Sequence, residues 1–317
     1  MRGKKTLKTQ IIPLLFLLII TSFPVKTHSI GLNGKDGLIS YLKWSFVSEL
    51  NLCFDAPNIA PKQIWVLDNK VAYFSLLSYD TYFALKIKNQ LQNISLTYNI
   101  PHDNDSLPIT FKHDPVFGIQ LPQNGFNYSI QYSLYNQSGY EIKQDIANST
   151  DPMPNWDDYA DLCIYYGLNE YLKGNIANAK YYIDRVIAMW DGYGIADKIY
   201  RDNFHYETYK LALLYMAKNI LGYGALSFEN KLIETVWRQQ NITTGGIHTH
   251  YMREGNKLWS EELYSDTNIE TTAFVLLSNM PYYATEKAWY EDPKRFGLIM
   301  VLVVICIFIF KLAWDKL

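Results

Sequence analysis

Carboxylates, imidazoles and large aromatic rings are the groups in this chain whose types and spacing could do chemistry. Asp191 follows Trp190 and precedes Gly192-Tyr193-Gly194. An acid beside a ring in a glycine-rich loop suits a sugar: the ring stacks and the carboxylate accepts hydroxyl protons. The same residues also suit a turn after a helix. Glu207 stands beside His205 and Tyr206 at the start of a helical pattern. Glu270 lies three residues after Thr267, the spacing of a capping box, and four after Asp266, hence on one helical face with it. Asp157 and Asp158 open another helix, where carboxylates offset the helix dipole. His248 and His250 alternate in an extended stretch, so both point to one side, with Tyr251 next to them. Two imidazoles could bind a metal or handle protons, but no third ligand stands at a recognised spacing, so no metal or other cofactor is expected. Trp190, Asp191, Tyr193, Tyr206, His248, His250 and Tyr251 form the candidate ligand-binding set. Asp68, Asp191, Glu207 and Glu270 are the candidate acids.

These residues need elements to position them. Helical periodicity covers residues 36–52 and, in two pieces, 68–91. Alternation then takes over: Ile94, Leu96, Tyr98 and Ile100, then Ile109 and Phe111, then Tyr128, Ile130, Tyr132 and Leu134, punctuated by Pro, Gly and Asn. The helical period returns in three hairpins: 155–173 with 175–189, 203–221 with 227–240, and 266–278 with 281–290. Consecutive hairpins should bring the ends of 175–189 and 227–240, and the starts of 203–221 and 266–278, to one side, so that loop 241–266 and turn 190–194 wall a common groove.

The ends of the chain read differently from its body. Met1–Lys8 is basic, Ile11–Ile20 is apolar and Thr27-His28-Ser29 offers small residues, the pattern of a secretory signal over 1–29. Phe296–Phe310 is free of charge, and a span over 296–314 would cover about 28 Å, close to a hydrocarbon core, leaving 315–317 as a cytoplasmic tail. The whole chain carries −2; with the five basic residues of 1–29 and the net +1 of 296–317 set aside, the body carries −8. An acidic body has little to offer phosphates, so nucleic acid is not an expected partner. Sequons at Asn93, Asn104, Asn127, Asn136, Asn148 and Asn241 fit an exported, glycosylated body. Cys53 and Cys163 are the two cysteines of that body, either a disulfide or two buried thiols. G-x-S-x-G, HExxH, P-loop and dinucleotide glycine motifs do not occur.

Residues 237–277 run from Trp237-x-x-Gln240 through Gly245-Gly246 to Asp266-x-x-x-Glu270-Thr271-Thr272-Ala273. This stretch resembles the repeating hairpin of α/α-toroid proteins, a group that includes terpenoid cyclases, complement-like domains and six-hairpin glycosidases and lyases. Trp65-x-x-Asp68-Asn69-x-x-Ala72 is similar to the loop-to-helix entry of six-hairpin glycosidases. The clustered aspartates of terpene cyclases and the thioester Cys-Gly-x-x-Gln are missing. The Tyr, Asn and Ile bias resembles that of exported proteins of thermoacidophilic archaea.

The expected fold is therefore mainly α: a helical-hairpin array or partial α/α toroid with an inserted small antiparallel β unit, plus one C-terminal transmembrane helix. The expected divisions are a first hairpin over 30–92, a β-rich unit over 93–150 and a hairpin domain over 151–292. The expected function is a cell-surface, membrane-tethered glycoprotein, outside the cell with its C-terminus inside, that binds glycan or an envelope partner without catalysis. The alternative is a carbohydrate-active enzyme, glycosidase-like or lyase-like.

Overall fold

In the computed structural model the described residues are 33–122, 125–255, 257–259 and 265–282. The signal expected over 1–29, the span over 296–314, the tail 315–317 and nearly all of the helix expected over 281–290 lie outside them. No helix among the described residues is long and apolar enough to cross a membrane.

Four helices form the centre: α2 (Val66–Leu76), α4 (Ala160–Leu172), α7 (Thr208–Ile220) and α9 (Ile269–Leu277). Their sequences are apolar on nearly every side, and most of their residues are buried, as a helix with neighbours all round requires. α9 packs against α2 and α7, and α4 packs against α7. A second set of helices covers them with one apolar stripe each. α3 (Thr81–Thr97) buries Ala84, Ile87, Leu91 and Ile94 against α2; α5 (Ile176–Ala188) buries Ala179, Ile183 and Val186 against α4. α8 (Glu229–Arg238) lies on α7, and α1 (Gly34–Trp44) lies on α9. A short helix, α6 (Lys198–Asn203), precedes α7. The 241–246 loop comes so close to α1 that a Cβ on Gly245, at φ 85, would strike the carbonyl of Gly37.

Three small sheets complete the molecule. β1 (Phe46–Val47) pairs with β2 (Leu52–Cys53). β3 (Gln63–Trp65) runs parallel to β5 (Tyr140–Pro152), which pairs antiparallel with β4 (Asn127–Gln137), with Ile64 opposite Ile142. β6 (His205–Glu207), β7 (His250–Glu254) and β8 (Lys257–Trp259) form the third. The fold is thus mixed α/β, with 47% helix and 21% strand among the described residues, and not the mainly α array expected from the sequence. The hairpin periodicity is present, but the helix entries and long loops between hairpins pair into sheets that local periodicity does not announce.

Two local expectations also change. Ile94, Leu96 and Tyr98 belong to α3 or its C-cap: Ile94 continues the stripe of Ala84, Ile87 and Leu91, while Leu96 and Tyr98 are exposed. Phe111 opens a 3₁₀ turn, Phe111–Phe117, rather than a strand. β4 alternates in sequence, but Tyr128, Ile130 and Tyr132 are exposed, and so are Ser129, Gln131 and Ser133 between them. Cys53 and Cys163 are two buried free thiols, not a disulfide. Their Sγ atoms donate to different carbonyls, Leu42 and Asp157, in different elements. Burial pushes both thiols up to about 12.

Candidate functional site

Each central helix is entered from an extended residue: Trp65 before α2, Tyr159 before α4, Glu207 before α7 and Asn268 before α9. An acid stands at each entry: Asp68, Asp161, Glu207 and Glu270. At those positions a carboxylate lies near the positive dipole end of its helix. The acids sense one another. Burial raises both Glu270 and Asp68 first; the charges of Asp55, Glu207 and Asp161 then add to the rise of Glu270, and those of Asp55 and Glu270 to that of Asp68.

Half of this set is neutralised. Lys210, on α7 and nearly fully buried, pairs with Asp197, Glu207 and, at 3.7 Å, Asp161. Burial alone would lower its pKa, but the three carboxylates hold it above the ordinary lysine value. Tyr209 Oη donates to Asp161 at 3.0 Å, and Asp197 accepts the Ala160 N–H at 3.0 Å, which ties the start of α4 to the start of α6. Burial raises Glu207, and Lys210 works against that rise.

The other half faces a cavity of about 170 Å³ lined by Asp55, Trp65, Asp68, Lys112, His113, Gln131, Asp145, Asn268 and Glu270. Four carboxylates enter it, and each titrates above its ordinary range. Burial pushes Asp55 up to about 6, with the hydrogen bond from Asp68 holding it back. Asp68 is raised well above the usual carboxylate range, by burial first and then by the charges of Asp55 and Glu270. The two form a dyad in which Asp68 keeps the proton. Glu270 is pushed up to about 7, by burial first, with Lys112 opposing. Burial also raises Asp145. His113 Nε2 lies 3.6 Å from Glu270 Oε1, and burial with the nearby Lys112 charge keeps that imidazole neutral.

The cavity is held by contacts far apart in sequence. Asn268 caps α9, accepting the Thr271 N–H at 2.9 Å. The Asp55 carbonyl accepts the Ile269 N–H at 3.1 Å, which fixes the Asp55 loop to the start of that helix. Asp266 accepts from the N–H groups of Asn58 at 2.7 Å and Ile59 at 3.0 Å, reinforcing the same junction. On the other side Lys70 and Asp114 form a fully buried pair at 3.1 Å. Asp114 also accepts the Thr110 N–H at 3.0 Å and its hydroxyl at 2.8 Å. That pair fixes the turn carrying Lys112 and His113. Gln131 of β4 borders the cavity and is itself exposed, like its neighbours on the strand.

Asp68 and Glu270 therefore share one cavity, with Glu207 in the neighbouring Lys210 cluster. The remaining candidates lie elsewhere. Asp191 organises its own turn: Oδ1 accepts the N–H groups of Tyr193 at 2.9 Å and Gly194 at 3.1 Å, and Oδ2 accepts Tyr206 Oη at 2.6 Å. Trp190 stacks on Phe228 with ring centroids 4.6 Å apart. Tyr206 is buried between Tyr200 and Tyr251. Tyr251 Oη donates to the Tyr193 carbonyl at 3.0 Å, and the Tyr193 ring carries the Arg253 guanidinium 3.7 Å from its centre. Turn 190–194 and strand β7 thus meet in a filled contact, and a Cβ on Gly194 would collide with Tyr206 and Tyr251. His248 is buried with Nδ1 on the Ser265 carbonyl; His250 lies 2.9 Å from the Thr249 hydroxyl and beside the His205 ring. Among the described residues no three acid, histidine or cysteine side chains are grouped to hold a metal ion.

Asp55, Asp145, Lys112 and His113 also line the site, and no local sequence pattern marks them. Trp65 is marked in the sequence only by its place three residues before Asp68. Neither a protein-family model, nor a curated protein, nor a solved structure matches this chain.

Proposed function

We propose that this protein is a carbohydrate-active hydrolase of the exported body, cleaving a glycosidic bond by general acid–base catalysis in the cavity of Asp55, Asp68, Asp145 and Glu270. One observation carries the reading: carboxylates in one open cavity, beside an indole ring, are tuned to different protonation states near neutral pH. Pairs of titratable groups pushed apart by their surroundings supply an acid and a base in one site. The secretory pattern and the six sequons support an exported setting.

Glu270, protonated below about 7, is the acid that gives its proton to the glycosidic oxygen as the bond to the anomeric carbon breaks. Asp55, ionised above about 6, is the base that takes a proton from the attacking water. Asp68 keeps its own proton and orients Asp55 through their hydrogen bond. The products are the free sugar and the alcohol, and the two carboxyls return to their starting states by exchange with solvent. Trp65 offers a ring face to the sugar, while Asn268 and Gln131 offer hydrogen-bonding groups to hydroxyls.

The test is hydrolysis of a panel of glycosides as a function of pH. Activity needs Asp55 ionised and Glu270 protonated, so kcat/KM should be bell-shaped with its maximum between about 6 and about 7. Glu270→Gln should lose at least about 100-fold and remove the alkaline limb. Saturable sugar binding without turnover would remove the hydrolytic reading and leave glycan binding alone.

A further inference from the structure

A second, smaller cavity of about 40 Å³ opens beside the acidic one, walled by Phe111, Leu121, Phe126, Ile146 and Ala147. Lys112 and Asp145 line both cavities and so form the partition between them. Three consecutive residues serve three places: Phe111 the apolar cavity, Lys112 the partition, His113 the acidic cavity. The strands match this division. Ser129, Ile146 and Ala147 border the apolar cavity, and Gln131 the acidic one.

The turn that makes this division is strained. Phe111 adopts φ 51, a left-handed conformation that a bulky side chain takes only when its surroundings impose it. What imposes it is the buried Lys70–Asp114 pair, with Asp114 bound to the Thr110 N–H and hydroxyl just before the turn. A relaxed turn would place the Phe111 ring differently, and the apolar cavity would lose a wall.

We propose that the apolar cavity is the leaving-group subsite of the same active site, and that the substrate is a glycoside whose aglycone begins with a short apolar carbon segment. This rests on the hydrolase reading given above. Glu270, the proton donor, lies 3.6 Å from His113 Nε2, and His113 directly follows Lys112 of the partition, so the donor end of the acidic cavity lies beside the partition. The glycosidic oxygen then sits at Lys112 and Asp145, and the next carbons pass into the apolar cavity. About 40 Å³ is room for a few carbon atoms.

The experiment uses the full chain with methyl and n-propyl glycosides of one panel of hexoses and hexuronic acids, reading both turnover and equilibrium binding. Burying two further methylenes should favour the propyl compound by about tenfold. Ala147→Phe fills the cavity and should bring the propyl-to-methyl ratio near one; Ala147→Leu, a smaller change, should lower it in part. Circular dichroism reports whether each variant is folded, and the wild-type ratio decides the question whether or not they are. Hydrolysis with equal rates for methyl and propyl compounds overturns the subsite and leaves the hydrolase. Tighter binding of the propyl compound without hydrolysis, lost in Ala147→Phe, keeps the subsite and discards the hydrolase. No binding and no turnover of any glycoside overturns both.

Discussion

Glu270 is held in a condition that favours chemistry and disfavours folding. Its pKa rises to about 7 from the ordinary glutamate value near 4.5, chiefly because it is buried. Between those two values the folded chain binds more protons than the unfolded one, so stability falls as pH rises through that window. Glu270→Gln removes the ionisable group and keeps the shape. It should therefore stabilise the protein by about 1–2 kcal/mol at pH 8 and change little at pH 4, where the carboxyl is protonated in both states. Urea unfolding at the two pH values checks this; equal effects at both would mean that Glu270 carries no burial penalty. At this scale the site was partly legible. Asp68 and Glu270 sit in first helical turns, where a pattern marks them. Asp55 lies in a loop, Asp145 in a strand and Lys112 in a 3₁₀ turn, and nothing local separates them from other polar residues. They reach the cavity through the junction at Ile269, strand register and the Lys70–Asp114 pair, which are properties of the folded chain.

Among the elements, the strained turn at Phe111 depends most on a single interaction. Lys70 lies inside α2 with no exposed surface, donating to the Pro108 carbonyl at 2.7 Å as well as to Asp114. Lys70→Met would leave Asp114 buried beside Thr110 without a counter-charge. Breaking a buried pair from one side costs about 3–5 kcal/mol. That loss should appear in chemical denaturation, together with loss of turnover, because the turn also places Lys112 and His113. A variant as stable as the wild type would show that the Thr110 contacts hold the turn alone. The periodicity of α5 and α8 was plain in the sequence, since each covers the centre with one stripe. The boundary set at residue 93 fell inside α3, because an accidental alternation of apolar residues continued a helical stripe. The strands β3, β6 and β7 are too short for periodicity to announce.

In the molecule as a whole, the starts of four buried helices bring carboxylates together, and the chain treats the two halves of that set unequally. Asp161, Asp197 and Glu207 share Lys210. Asp55, Asp68, Asp145 and Glu270 have Lys112 at the cavity wall and form no salt bridge with it among the described residues. Structure needs the first arrangement, since buried charges without partners destabilise; a site needs the second, since catalytic carboxyls must exchange protons. The asymmetry makes a prediction about Lys210. Lys210→Met removes the cation from a buried acidic cluster, so Glu207, which burial already raises against the pull of Lys210, rises further in the folded state while its unfolded value does not change. The variant should then match the wild type most nearly at about pH 4, where the acids take up protons. Its deficit should grow as pH rises through the range between the unfolded and the raised folded values, reaching more than about 3 kcal/mol at pH 7. Urea denaturation across that range reads the slope directly. A deficit independent of pH would mean that Lys210 contributes packing rather than charge, and the division of the acids into a balanced half and a functional half would lose its basis.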